Sequence, residues 1–286
     1  MEKQNNSSRN IQDYRLLALG ERKANGRPWA ILTSKETSQA LGLTAKQTAR
    51  LFSRLLLKNR VQQLRRGLYL TPSRLPLGKI WQPSPYEALW AYMNWLDAKW
   101  QITGLDAFNR YGFSTQITQV ITVCNDKLSG QIEAGGSRFI FIKTDKKMLG
   151  NINLFPMIGD IEVPFSSKAR TIFDAVYYSN RFGSLPMAYT WIAEIKTDQN
   201  AIKELMSCCL TYGNRQTISR IGFVLEKLNI NTAILINKKQ KNTTQTLVSL
   251  LPGSRKGKID RRWGIIENKS IYEIFSYLEK PDADES

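Results

Sequence analysis

Between Ser34 and Pro72 the chain reads SKETSQALGLTAKQTARLFSRLLLKNRVQQLRRGLYLTP, and within this stretch the hydrophobic period changes from helical to alternating. That change restricts the segment to two short helices followed by a hairpin. Three residues after Ser34 a short helical pattern begins, with Ala40 and Leu41 turned inward, and Gly42 supplies the tight turn that lets a second helix cross it. Thr44 is placed to cap that second helix with its hydroxyl. At a helical step, Ala45, Ala49, Phe52, Leu55 and Leu56 fall on one side and Lys46, Gln47, Arg50, Ser53 and Arg54 on the other. After Asn59, Val61 and Leu64, then Leu68 and Leu70, flank Arg65-Arg66-Gly67, which predicts a two-stranded wing with guanidinium groups at its tip.

These parts together predict a winged helix-turn-helix, and its polar face has the chemistry of a double-stranded DNA reader. A helix entering the major groove reaches base edges from its N-terminal end, where Arg matches guanine and Gln matches adenine. Lys46, Gln47 and Arg50 occupy those positions, while Arg54, Arg65 and Arg66 are placed for phosphates, which fix register without reading sequence. Solvated helix faces normally mix both signs of charge. Residues 1–80 hold 16 Lys and Arg against 4 Asp and Glu, whereas the remainder holds 25 against 20, so the excess of positive charge is concentrated around the reader.

A length of 286 residues fits two domains, with the reader at 1–80 and a mixed α+β domain at 81–286. Pro72, Pro76, Pro83 and Pro85 mark the intervening stretch as a linker. An entry helix is expected over residues 11–32, broken at Asn25-Gly26-Arg27-Pro28. Beyond the linker, PYEALWAYMNWL and a short segment around Asp106 to Tyr111 read as helices. TQVITVC, SRFIFIK and GDIEVPF read as strands, with a polar loop from Asn125 to Gly136 and a hairpin turn at Gly135-Gly136-Ser137. Helices are expected at Ser167 to Phe182, Pro186 to Ile195, Asn200 to Leu210 and Arg215 to Leu228. A second basic cluster, Arg255, Lys256, Lys258, Arg261 and Arg262, is open to two readings, a solvated loop or an auxiliary nucleic-acid contact. The tail Pro281 to Ser286 is acidic and is expected to be disordered.

The chain contains no histidine, which removes imidazole general bases and histidine metal ligands, and its three cysteines include no CxxC pair. Adjacent Cys208 and Cys209 are expected to pack as small hydrophobes. Asp160, Glu162 and Lys168 in GDIEVPFSSK faintly suggest a metal-dependent nuclease, but the spacing does not put both side chains on one face of one strand. No catalytic residue, metal or cofactor is therefore expected. The alternative reading is a nucleic-acid-processing enzyme delivered to its substrate by the reader. No apolar run is long enough to span a membrane, and MEKQNNSSRN lacks the apolar region of a secretory signal, which leaves the cytosol as the expected location.

Several segments carry a resemblance. The Leu32 to Pro72 stretch with its RRGLY, then ITGLDAFNRYGFSTQITQVITV, FIFIKTD, IEVPFSSKARTIFDAV, ISRIGFVLEKLNI and LLPGSRKGKIDRRWGIIEN, together resemble the AbiEi family of type IV antitoxins over roughly residues 30–265. The chain differs from many members in its polar N-terminal extension and acidic tail. The resemblance implies negative autoregulation at operator repeats upstream of the protein's own operon. It also implies a second domain that neutralises a nucleotidyltransferase toxin encoded alongside, and DNA contacts at Lys46, Gln47, Arg50, Arg54, Arg65 and Arg66.

Overall fold

The computed structural model describes residues 2–78, 80–158, 160–240 and 246–276, with side chains described from residue 11 onward and not at residue 240. The acidic tail lies outside the described residues. The chain runs α1 (Glu2–Ala24), β1 (Trp29–Thr33), α2 (Ser34–Leu41), α3 (Ala45–Leu57), β2 (Gln62–Arg65), β3 (Leu68–Pro72), α4 (Pro85–Trp95), β4 (Trp100–Thr103), α5 (Leu105–Arg110), β5 (Val120–Asn125), β6 (Gly130–Ala134), β7 (Ser137–Lys143), β8 (Ile152–Met157) and β9 (Ile161–Ser166). It continues through α6 (Lys168–Tyr177), α7 (Ser179–Phe182), α8 (Met187–Glu194), α9 (Gln199–Tyr212), α10 (Arg215–Lys227), α11 (Ala233–Gln240), β10 (Val248–Ser249), β11 (Lys258–Asp260), β12 (Ile265–Glu267) and α12 (Ile271–Phe275). The fold is α+β. Strands form sheets of order β1-β3-β2, β6-β7-β5-β4-β9-β8 and β10-β12-β11.

Two compact units result, and the division does not fall at residue 80. Residues 1–101, 118–146 and 154–164 form the first, and 102–117, 147–153 and 165–286 the second. The first unit takes in α4 and the β6–β7 hairpin for reasons visible in the side chains. Trp29, almost fully buried, meets Trp90 edge to face at 5.7 Å and donates from Nε1 to Glu87 at 3.1 Å. Arg27 lies over the same Trp90 ring at 4.9 Å. The Gly135 N–H donates to the Gln63 carbonyl of β2 at 2.8 Å, and a Cβ at Gly135 would come within 2.6 Å of Ala88. The proline-rich stretch is likewise folded against the rest of this unit: the Ser73 N–H donates to the Pro28 carbonyl, the Trp81 N–H to the Asn59 carbonyl, and Pro83 is buried. Proline content removed backbone donors without making a linker.

In the first unit, Leu16, Leu19, Leu32, Leu41, Leu51, Phe52, Leu55, Val61 and Tyr69 form one core. α1 lies against β3 so closely that a Cβ at Gly20 would meet Thr71 at 2.4 Å. The expected hairpin turn is present, with Gly135 and Gly136 at φ 60° and 76° between the paired residues Ala134 and Ser137. Its first strand, β6, occupies part of what reads in the sequence as a polar loop. β4 and β8 were also absent from the sequence reading. β4 is short and buried at every position, so it shows no alternation.

In the second unit, Phe173, Tyr189, Ile192, Leu205, Cys208, Cys209, Ile221, Phe223 and Trp263 belong to a core gathered by α6, α8, α9 and α10. The single helix expected at Ser167 to Phe182 is two, α6 and α7, divided at Tyr178. Cys208 and Cys209 are free thiols packed as hydrophobes; burial pushes Cys208 up to about 12 and Cys209 well above the usual thiol value.

Candidate nucleic-acid interface

The helix that offers the polar face is held at both its start and its middle. Gly42, at φ 64°, ends α2, and Thr44 begins α3 with a reciprocal cap: its hydroxyl accepts from the Gln47 N–H at 3.3 Å, and Gln47 Oε1 accepts from the Thr44 N–H at 2.8 Å. Such a cap stabilises a helix by about 1 kcal/mol and fixes the position of its first turn. Thr48, Leu51, Phe52 and Leu55 then anchor the inner side, with Phe52 stacked on Tyr69 at 3.7 Å. This phase differs from the predicted one. Thr48 is inside because its hydroxyl returns to the Thr44 carbonyl at 3.0 Å, and Ala45 and Ala49 are consequently exposed.

Lys46, Gln47, Arg50 and Ser53 are exposed on the outer side, as the periodicity placed them. Among the described residues, neither Lys46 nor Arg50 forms an ion pair, and α3 contains no carboxylate. Arg54 is different, because its guanidinium already has a partner within the protein. Its Nε donates to Asp13 Oδ1 at 2.9 Å and its Nη2 also pairs with that carboxylate, while Lys58 reaches Asp13 Oδ2 at 3.1 Å. Asp13 is 1% exposed on α1, so it requires these cations as partners inside the fold.

The hairpin places Arg65 and Arg66 beside Gly67, whose φ of 79° makes the turn. The Gly67 carbonyl accepts from the Ser34 N–H at 2.9 Å, which ties the hairpin to the start of α2. Both arginines are exposed, but they are held differently: the Arg65 guanidinium stands over the Trp95 ring at 5.0 Å, and Arg66 extends from the turn itself.

In the second unit, Arg255, Lys256, Lys258, Arg261 and Arg262 are exposed on and around β11. Arg262 Nε is 3.3 Å from Glu226, and Arg255 donates to the Leu247 carbonyl at 3.3 Å. The platform beneath is closely packed. Trp263 is fully buried, donates from Nε1 to Glu226 at 2.9 Å, and faces Gly222, where a Cβ would come within 2.2 Å of the ring. Lys239 donates to the Arg262 carbonyl at 2.6 Å; burial lowers its pKa from the usual value, and the charge of Arg215 adds to the effect.

The sequence reading missed a buried polar network in the second unit. Arg170 and Asp174, one helical turn apart on α6, form a fully buried ion pair at 2.7 Å. Thr103 and Ser166 donate to Asp174 at 2.8 and 2.9 Å, and Arg170 donates to the Met148 carbonyl at 2.9 Å and stacks on Tyr212 at 4.0 Å. The pair was detectable as an i, i+4 charge pair inside an otherwise apolar helix. Burial opposes the charge on Arg170, but the charge and hydrogen bond of Asp174 outweigh it and leave the pKa raised. Such a group specifies packing and is not presented to a macromolecule.

Asp160 and Glu162 are exposed in the first unit, and Lys168 in the second lies 5.8 Å over the Phe113 ring. Among the described residues, no three His, Cys, Asp or Glu side chains gather as a metal ion would require, and no helix is long and apolar enough to cross a membrane.

No protein-family model matches the chain, and no curated protein matches it. Among solved structures it is similar to the crystal structure of the RV2827C protein from Mycobacterium tuberculosis, with a TM-score of 0.57 and 14% identity over 94% of this chain and 95% of that one. At that identity the likeness concerns the fold.

Proposed function

We propose that this chain is a sequence-specific DNA-binding repressor that reads its operator with α3 and braces on the phosphates with the β2–β3 hairpin, as a winged helix-turn-helix does. The observation that carries this reading is the outer side of α3, where exposed Lys46, Gln47 and Arg50 stand on a capped, core-anchored helix without a carboxylate. Donors preorganised in this way meet base edges without an ordering cost at the moment of binding. The basic excess of residues 1–80 supplies the long-range attraction to a polyanion.

The second half of the proposal is that the protein autoregulates a toxin-antitoxin operon in the cytosol and that its C-terminal part neutralises a nucleotidyltransferase toxin. It rests on the sequence resemblance to the AbiEi family. Arg255, Lys256, Lys258, Arg261 and Arg262 are proposed as an auxiliary nucleic-acid contact, supported by their exposure on and around β11. The test has two arms. Duplex from upstream of the protein's own coding sequence should be bound in preference to scrambled duplex and should silence a reporter. Co-expression with a neighbouring nucleotidyltransferase should restore growth. Equal affinity for both duplexes would remove the repressor, and absence of rescue would remove the antitoxin.

A further inference from the structure

Over its first two turns the outer side of α3 offers hydrogen-bond donors and no acceptors, and Gln47 is the residue that decides this. The Thr44 N–H can only donate, so the Gln47 atom facing it at 2.8 Å is the carbonyl oxygen. The Thr44 hydroxyl, which accepts from the Gln47 N–H, gives its own proton to that same oxygen at 2.9 Å. Both acceptor sites of Oε1 are therefore occupied within the cap, and the amide NH2 is what remains for a ligand. Paired recognition of adenine requires glutamine to donate to N7 and accept from N6, which Gln47 cannot do while it caps the helix.

Its neighbours have the same polarity. Lys46 and Arg50 carry donors alone. The Thr48 hydroxyl is buried and bonded to the Thr44 carbonyl, and Ser53 is the first exposed side chain along α3 able to accept. Ala45 and Ala49, exposed between the donors, present methyl groups. In the major groove guanine shows two acceptors, N7 and O6, whereas adenine adds an amino donor that would here face another donor.

Resting on the DNA-binding reading above, we infer that α3 selects a stretch in which guanine edges face Lys46, Gln47 and Arg50, with thymine methyls against Ala45 and Ala49. Adenine is disfavoured opposite Gln47. The capping box thus serves as a specificity device, because it fixes which end of the Gln47 amide reaches the groove.

The experiment is selection of duplexes from a random library by the full-length chain at low salt, followed by affinity measurements on the winning site. Guanine should dominate the selected core, and replacing each such guanine by 7-deazaguanine, which lacks N7, should weaken wild-type binding about tenfold. Gln47→Glu keeps an oxygen for the Thr44 N–H, as Glu36 does for Thr33 at the start of α2, but removes the donors. It should lower the ratio of selected-site to random-duplex affinity about tenfold. Adenine at the position whose preference responds to Gln47→Glu, or indifference to 7-deazaguanine, overturns the donor-only assignment and leaves the DNA-binding reading in place. Failure to retain any duplex overturns both.

Discussion

The two basic surfaces of this protein differ in how their cations are held. Around β11, five Lys and Arg side chains are exposed, but Glu226 is 3.3 Å from Arg262, and Arg255 is turned to a backbone carbonyl. On α3, Lys46 and Arg50 are exposed and, among the described residues, form no ion pair, while Asp13 is held by Arg54 and Lys58. Charge count alone would rank the β11 surface higher. Presentation ranks it lower, because a cation already engaged by its own fold has less to gain from a phosphate.

Several expected outcomes would break or sharpen this contrast. The largest concerns what supports the reader. A fragment ending at residue 80 should show no cooperative thermal transition by circular dichroism, because Trp29 loses Trp90 and Glu87, and β2 loses its partner at Gly135. A sharp melt would mean that α4 and the β6–β7 hairpin are dispensable. Next comes the platform under the β11 cluster: Trp263→Ala should cost about 3–5 kcal/mol in denaturant unfolding, since it empties the space against Gly222 and leaves Glu226 without its indole donor.

Smaller effects separate the cations themselves. Arg50→Ala should cost about 1–3 kcal/mol on operator DNA and much less on random DNA, whereas Arg66→Ala should weaken both by a similar factor. Uniform loss for Arg50→Ala, measured by anisotropy on the two duplexes, would take base reading away from α3. The smallest effect is on the thiols. Burial holds Cys208 at about 12 and Cys209 higher still, so at pH 8 a thiol-reactive disulfide should leave the native chain unmodified and react with Cys124, Cys208 and Cys209 once urea unfolds it. Rapid native reaction at Cys208 or Cys209 would show that the second unit opens locally.

The α2–α3 turn and the β2–β3 hairpin were legible in the sequence because their signals are local: a left-handed glycine after α2, a threonine cap, a helical apolar period and a glycine turn between short strands. The phase of α3 was not, because a buried threonine that bonds its own helix looks polar in a hydrophobic pattern. The role of Arg54 was hidden for another reason. Its partner Asp13 is 41 residues earlier, on a helix whose docking no local pattern predicts. Position on the polar side of a helix therefore identified Lys46 and Arg50 as exposed donors and gave no sign of the ion pair that Arg54 makes. The same limit concealed the Arg170–Asp174 network, which depends on Thr103 and Ser166 arriving from β4 and β9.

Salt dependence of DNA affinity, measured for the wild type and for two charge-removal variants, tests the central claim most directly. With Arg54 engaged inside the fold, roughly three to five phosphate contacts remain, so log affinity against log salt should slope at roughly −3 to −5. Replacing Arg65 and Arg66 with alanine should make the slope shallower by roughly one to two, while replacing Lys256, Lys258 and Arg261 should change it less. A slope near zero, or one that collapses with the β11 set and ignores the hairpin set, would contradict the account and move the nucleic-acid surface away from α3.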